Sequence, residues 1–122
     1  MNAHTHLVAR YFAAWNETDA VRRRALIAET YAEDARYVDP MLEGKGHAGL
    51  DSMIAAVHER FPAHVFRLAT DIDGFGSNLR FSWDLVGPDG GVAAKGSDFA
   101  VVDETGRFAS VTGFLDAVAQ PA

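Results

Sequence analysis

The chain has 122 residues, 48% of them hydrophobic and 23% charged, which is the balance of a folded globular protein rather than a disordered one. Eleven basic against 17 acidic residues give a formal charge of -6, which repels phosphate backbones and anionic lipid surfaces and so argues against nucleic-acid or membrane partners. With no cysteine, disulfides, thiolate metal sites and cysteine nucleophiles are excluded.

The length predicts one domain over residues 1–122, able to bury roughly two-thirds of the surface its unfolded chain exposes. MNAHTHLVARYF lacks the basic-then-apolar pattern of a secretory leader, and no apolar run approaches the roughly 20 residues that span a bilayer. A cytoplasmic protein is the expectation.

Leu7, Tyr11, Phe12 and Trp15 recur at helical spacing and predict an amphipathic helix over about residues 3–16. Asp19 can cap a second helix, in which Leu26, Ile27 and Tyr31 supply apolar contacts, and which fades before Glu33-Asp34. Its Arg22-Arg23-Arg24 run reads as a solvated face. A short strand, Ala35 to Asp39, follows. Gly44-Lys45-Gly46-His47 reads as a loop, after which Leu50, Met53, Ile54, Val57 and Phe61 keep the 3.6-residue period until Pro62 ends a third helix.

Beyond Pro62 the period changes to two. Phe66, Leu68, Thr70 and Ile72 alternate with polar neighbours, and Leu79, Phe81, Trp83 and Leu85 alternate with Arg80, Ser82 and Asp84. Pro88-Asp89-Gly90-Gly91 and Asp103-Glu104-Thr105-Gly106 are turn signals that frame a strand of about residues 92–102. A last strand runs from Arg107 to Leu115. Three helices followed by antiparallel strands make an α+β domain in which helices cover one sheet face, leaving a cavity between them. The other sheet face carries its own apolar residues, which favours a homodimer.

The stretches RYFAAWN, YVDP, GKGHAGL, GSDFAVV and DETGRF, in this order and spacing, resemble the nuclear-transport-factor-2-like superfamily over essentially the whole chain. Within it, the pattern is similar to the SnoaL-like and ketosteroid-isomerase-like group. That resemblance implies a cone-shaped α+β fold, with three N-terminal helices packed on a curved, mixed, mainly antiparallel sheet that encloses an apolar cavity. It also implies cofactor-free proton transfer next to the carbonyl of a small apolar molecule. The family's base sits in an Asp-Pro after the short strand, which here is Asp39. Its tyrosine donor falls on Tyr11, and its protonated Asp on Asp98.

Each position also has a plainer reading. Asp39 before Pro40 can simply stop a strand. Asp98 shares a strand face with Ala100 and Val102, so it is either a buried carboxyl needing a partner or an exposed strand end. Tyr11 belongs to a helical apolar stripe and can be core. Trp15, Tyr37, Phe81, Trp83 and Phe114 are core candidates that would also line a ligand cavity, and His47, at the start of the third helix, is a candidate to face it. Trp83 stands where steroid isomerases have a smaller residue, which argues against a steroid-sized substrate. The histidines lack zinc-site spacing, so no metal is expected. Two other functions stay open: a non-catalytic ligand-binding or dimerisation domain, and a water-activating epoxide hydrolase with an Asp-Arg-Asp relay through Arg80 and Asp98. Alternation puts Arg80 opposite Phe81 and Trp83, so that relay fails if those aromatics face the cavity.

Overall fold

A computed structural model describes residues 3–118. Helix α1, Ala3–Asn16, buries the stripe Leu7, Val8, Tyr11, Ala14 and Trp15, as its spacing requires. Helix α2, Ala20–Thr30, starts at Asp19, whose carboxylate accepts the Arg22 N–H at 2.9 Å.

Two expectations about the next segment are corrected. Helix α2 stops at Thr30, and Tyr31 opens strand β1, Tyr31–Val38, four residues earlier than predicted. Local propensity loses to pairing here: Tyr31 pairs with Phe108 of the last strand, and its fully buried ring lies 6.1 Å from the Phe108 ring. The predicted loop at 44–47 contains a short strand, β2, Glu43–Lys45, antiparallel to β1 with Gly44 opposite Tyr37. Helix α3, Gly46–Arg60, then buries Leu50, Met53, Ile54 and Val57 and ends before Pro62. The arginine run is not uniformly solvated either. Arg23 is 5% exposed, donates to Asp51 of α3 at 2.6 Å and to the Glu17 carbonyl at 3.1 Å, and so ties α2 to α3.

The remaining strands are β3, Val65–Leu68; β4, Asp73–Phe75; β5, Asn78–Val86; β6, Val92–Val102; and β7, Phe108–Val118. The alternating run Phe66 to Ile72 thus holds a strand only to Leu68. The sheet order is β2-β1-β7-β6-β5-β3, with β4 also pairing with β5. Only β1 and β7 run parallel among the described pairs, so the sheet is mixed and mostly antiparallel, and it is not closed. This is the expected α+β architecture.

Register slips occur at Leu85/Val86, Lys95/Gly96 and Val101/Val102. Such irregularities bend the strands that carry them and turn the sheet around the helices. Leu79, Phe81, Ala100 and Val111 join the α1 stripe in one core, while Arg80, Phe99 and Phe114 project from the other sheet face. Among the described residues no helix is long and apolar enough to cross a membrane.

Candidate active site

Between the helices and the sheet lies a cavity of about 260 Å³. Its floor includes the buried side chains of Tyr11, Trp15, Tyr37, Trp83 and Asp98, and its rim includes Met41, which is 61% exposed. The volume is just below the roughly 300–1,000 Å³ usual for small-molecule sites, so it suits a compact ligand.

Asp98 lies on the inner face of β6 and is 2% exposed. A buried carboxyl must be paired or protonated, and this one has two donors: the Tyr11 hydroxyl at 2.7 Å on Oδ2 and the Trp83 indole N–H at 3.2 Å on Oδ1. Burial pushes its pKa upward, the bonds from Tyr11 and Trp83 pull it back, and the nearby Asp39 charge adds to the rise; the result is about 6. The same burial, followed by the Asp98 charge, raises the Tyr11 phenol well above its ordinary value, so Tyr11 stays a protonated donor. Trp83 reaches Asp98 because its cross-strand partner is Gly96, where any Cβ would overlap the indole.

Asp39 follows β1, two residues beyond Tyr37. Its Oδ1 accepts the Met41 and Leu42 N–H groups, each at 2.7 Å, and its Oδ2 accepts the Tyr37 hydroxyl at 2.7 Å. The turn chemistry that stops the strand therefore also fixes a carboxylate on the cavity wall. Burial first, then the Asp98 and Asp39 charges, raise the Tyr37 phenol, so it too remains a donor.

The Asp39 and Asp98 side chains come together at Gly113, which pairs directly with Asp98 on β7. A Cβ at Gly113 would lie 2.8 Å from the Tyr37 hydroxyl, 3.0 Å from Asp98 Oδ1 and 3.1 Å from the Asp39 Cβ. Tyr37, Asp39 and Asp98 therefore crowd a single point that only a glycine leaves free. Sequence reasoning missed Gly96 and Gly113, although a glycine inside a strand is the usual signal of such close approach.

The structure separates the other candidates. Trp15 lines the cavity and donates its indole N–H to the Tyr31 hydroxyl at 3.2 Å. Tyr37 and Trp83 line it as well. Phe81 is 1% exposed and packs beneath Tyr11 and Phe12, with ring centroids at 5.4 and 5.8 Å. His47 is engaged elsewhere: its Nε2 is 2.8 Å from the Tyr31 carbonyl, which ties the start of α3 to β1. Phe114 is 58% exposed, because alternation sends it to the face opposite Gly113. Arg80 bonds the exposed Asp73 at 2.8 Å on that outer face, so no Asp-Arg-Asp relay forms with Asp98. Among the described residues no three His, Asp or Glu side chains are grouped to hold a metal.

The SnoaL-like domain family matches residues 8–111. A protein of Agrobacterium tumefaciens strain C58, proposed as an isomerase of the SnoaL-like family, is 44% identical; the match covers 96% of this chain and 100% of that one at a TM-score of 0.91. A proposed SnoaL-like polyketide cyclase from Jannaschia sp. CCS1 shares 16% identity over 98% of this chain and 94% of that one, at a TM-score of 0.75. A protein of cystatin-like fold from Methylobium petroleophilum PM1 shares 14% over 98% and 80%, at 0.74. The last two show the fold alone. No curated protein matches the sequence. The family match over most of the chain and the 44% identical relative agree: the chain belongs to the SnoaL-like domain family.

Proposed function

We propose that this protein is a cofactor-free isomerase or cyclase that moves a proton next to the carbonyl of a small, largely apolar compound. The observation that carries this reading is the gathering of Asp39, Asp98 and Tyr37 within 3.1 Å of one point at Gly113, on a cavity where Tyr11 bonds Asp98 at 2.7 Å. The isomerase proposed for the Agrobacterium relative points the same way.

In this mechanism Asp39 takes the proton from the carbon beside the carbonyl, and the freed electron pair moves onto the carbonyl oxygen. Tyr11 and Asp98 stabilise the resulting enolate. The Trp83 indole is only a donor, so Asp98 Oδ1 must accept and the acid proton of Asp98 resides on Oδ2. With a proton there, Asp98 can donate to Tyr11, which frees the Tyr11 O–H for the developing oxyanion. Asp39 then returns its proton to the same carbon or to a conjugated one, so the reaction needs no oxidant or reductant.

The test is proton-exchange kinetics on small enones and β,γ-unsaturated ketones. Asp39→Asn is expected to lower the rate on the order of a hundredfold to ten-thousandfold. Asp98→Asn costs less, because the amide still donates a hydrogen bond. Exchange at the buffer rate with the wild type on every compound would remove the proton-transfer reading and leave a ligand-binding domain. Full activity in Asp39→Asn would return Asp39 to the role of a strand stop.

A further inference from the structure

The polar groups of the cavity are unevenly placed. Asp39, Asp98, Tyr11 and Tyr37 gather at one end, and the remaining lining is apolar apart from one cation, Arg60. Arg60 is exposed in the last turn of α3, so it stands at the rim, as the exposed Met41 and Val118 do. Its guanidinium carbon sits 5.9 Å from the centroid of the Phe61 ring, and Phe61 itself lines the cavity. A cation–π contact of this kind does not use up the guanidinium N–H donors.

Among the described residues Arg60 has no carboxylate partner, nor do Arg10, Arg22, Lys45 and Arg107, but of these five cations Arg60 is the one that lines the cavity. A positive charge in the last turn of a helix is favourable in itself, but that interaction does not use the outward donors. In a chain of formal charge -6, an unpaired cation at the mouth of an apolar cavity is a local attractor for an anion. A planar fork of donors fits a carboxylate in particular.

We propose that Arg60 reads a carboxylate on the substrate, so that the ligand class is a small oxo acid whose carbonyl lies at Asp98 and Tyr11 and whose carboxylate lies at the mouth. This deepens, and rests on, the small-carbonyl reading of the same cavity. The apolar side chains of the lining hold the carbon chain.

Both tryptophans of the chain, Trp15 and Trp83, line the cavity, so quenching of their fluorescence reports binding without turnover. The probes are 7-oxooctanoate and its methyl ester, which removes the charge and adds one methyl group. Wild type is expected to bind the acid more tightly, with the preference shrinking as salt is added. In Arg60→Gln the acid-to-ester affinity ratio should fall about fivefold, the upper end for an exposed charge pair, and Arg60→Lys should keep part of it. An equal ratio in wild type and Arg60→Gln, no preference for the acid in wild type, or no quenching by either probe would overturn the inference. Isomerisation of 7-oxooct-4-enoate to the conjugated 5-enoate separates the two readings. Arg60-dependent binding of the acid without isomerisation sinks the chemistry and keeps the oxo-acid site; isomerisation of acid and ester at rates indifferent to Arg60 does the reverse.

Discussion

Replacing Asp98 with Asn tests the electrostatics of the cavity floor without any substrate. Asn has nearly the same volume, its amide oxygen can accept the Trp83 indole N–H, and its amide group can donate to Tyr11, so the fold is expected to stand. What disappears is the titration. Asp98 has a carboxyl raised from 3.8 to about 6, chiefly by burial. Below about pH 4 the folded and unfolded states both hold its proton; between about pH 4 and pH 6 only the folded state does. The contribution of Asp98 to stability is therefore fully present at low pH and is lost as pH rises through that window, to a total of about 3 kcal/mol. Asp84 and Asp103 have carboxyls lowered first by bonds from Lys95 and Thr105, and stability from such groups falls as pH drops. They titrate alike in both proteins and cancel in the difference. Urea unfolding of wild type and Asp98→Asn at pH 4, 5, 6 and 7 should show the variant gaining about 2 kcal/mol relative to wild type across the series, the first part of the total being already lost at pH 4. A flat difference, or a variant that loses ground as pH rises, would refute the buried-carboxyl argument.

Gly113→Ala should force apart the Tyr37 hydroxyl and Asp98, 2.8 and 3.0 Å from the new methyl, at roughly 1–3 kcal/mol of stability and on the order of a hundredfold in proton transfer; activity within a factor of three of wild type would speak against convergence at this point. Trp83→Phe removes a donor that favours the ionised form of Asp98, so the carboxyl should keep its proton to higher pH, and the alkaline limb of kcat/KM should move up from about 6 by on the order of one pH unit; an unmoved limb would deny Asp98 the acid role. Phe99 and Phe114, 42% and 58% exposed on the outer sheet face, should hold two copies together. Phe99→Ser with Phe114→Ser should then yield monomers in light scattering, and a monomeric wild type at micromolar concentration would exclude the dimer.

The sequence by itself determined the parts of the fold that depend on near neighbours in the chain. A helical stripe needs only residues three and four apart, so α1 and the body of α3 were legible, as were the Asp19 cap and the stop at Pro62. Period two and the flanking turns likewise set β5 and β6 and put Asp98 on one strand face with Ala100 and Val102, without saying whether that face is the inner one. Tyr11, Asp39 and Asp98 could be singled out because a resemblance marked their positions, and the turn chemistry of Asp39 was readable from the proline beside it.

What only the tertiary structure decided is everything that requires distant segments to meet. Tyr31 sits in a strand because Phe108, far along the chain, pairs with it, and that pairing outweighs the local helical pattern. Alternation puts Phe114 and Gly113 on opposite faces, but nothing in the chain said which of the two faces met the helices, and Phe114, a core candidate by composition, proves to be on the outer one. The bond from Trp83 to Asp98 exists because Gly96 lies across the sheet, and the crowding of Tyr37, Asp39 and Asp98 exists because Gly113 lies opposite Asp98. Arg60 carries no local signal at all; it becomes a candidate ligand only when the end of α3 is packed beside the cavity mouth. Periodicity records which way a side chain faces relative to its neighbours in sequence, whereas a site is set by which faces of separate elements are pressed together, and that is decided by packing.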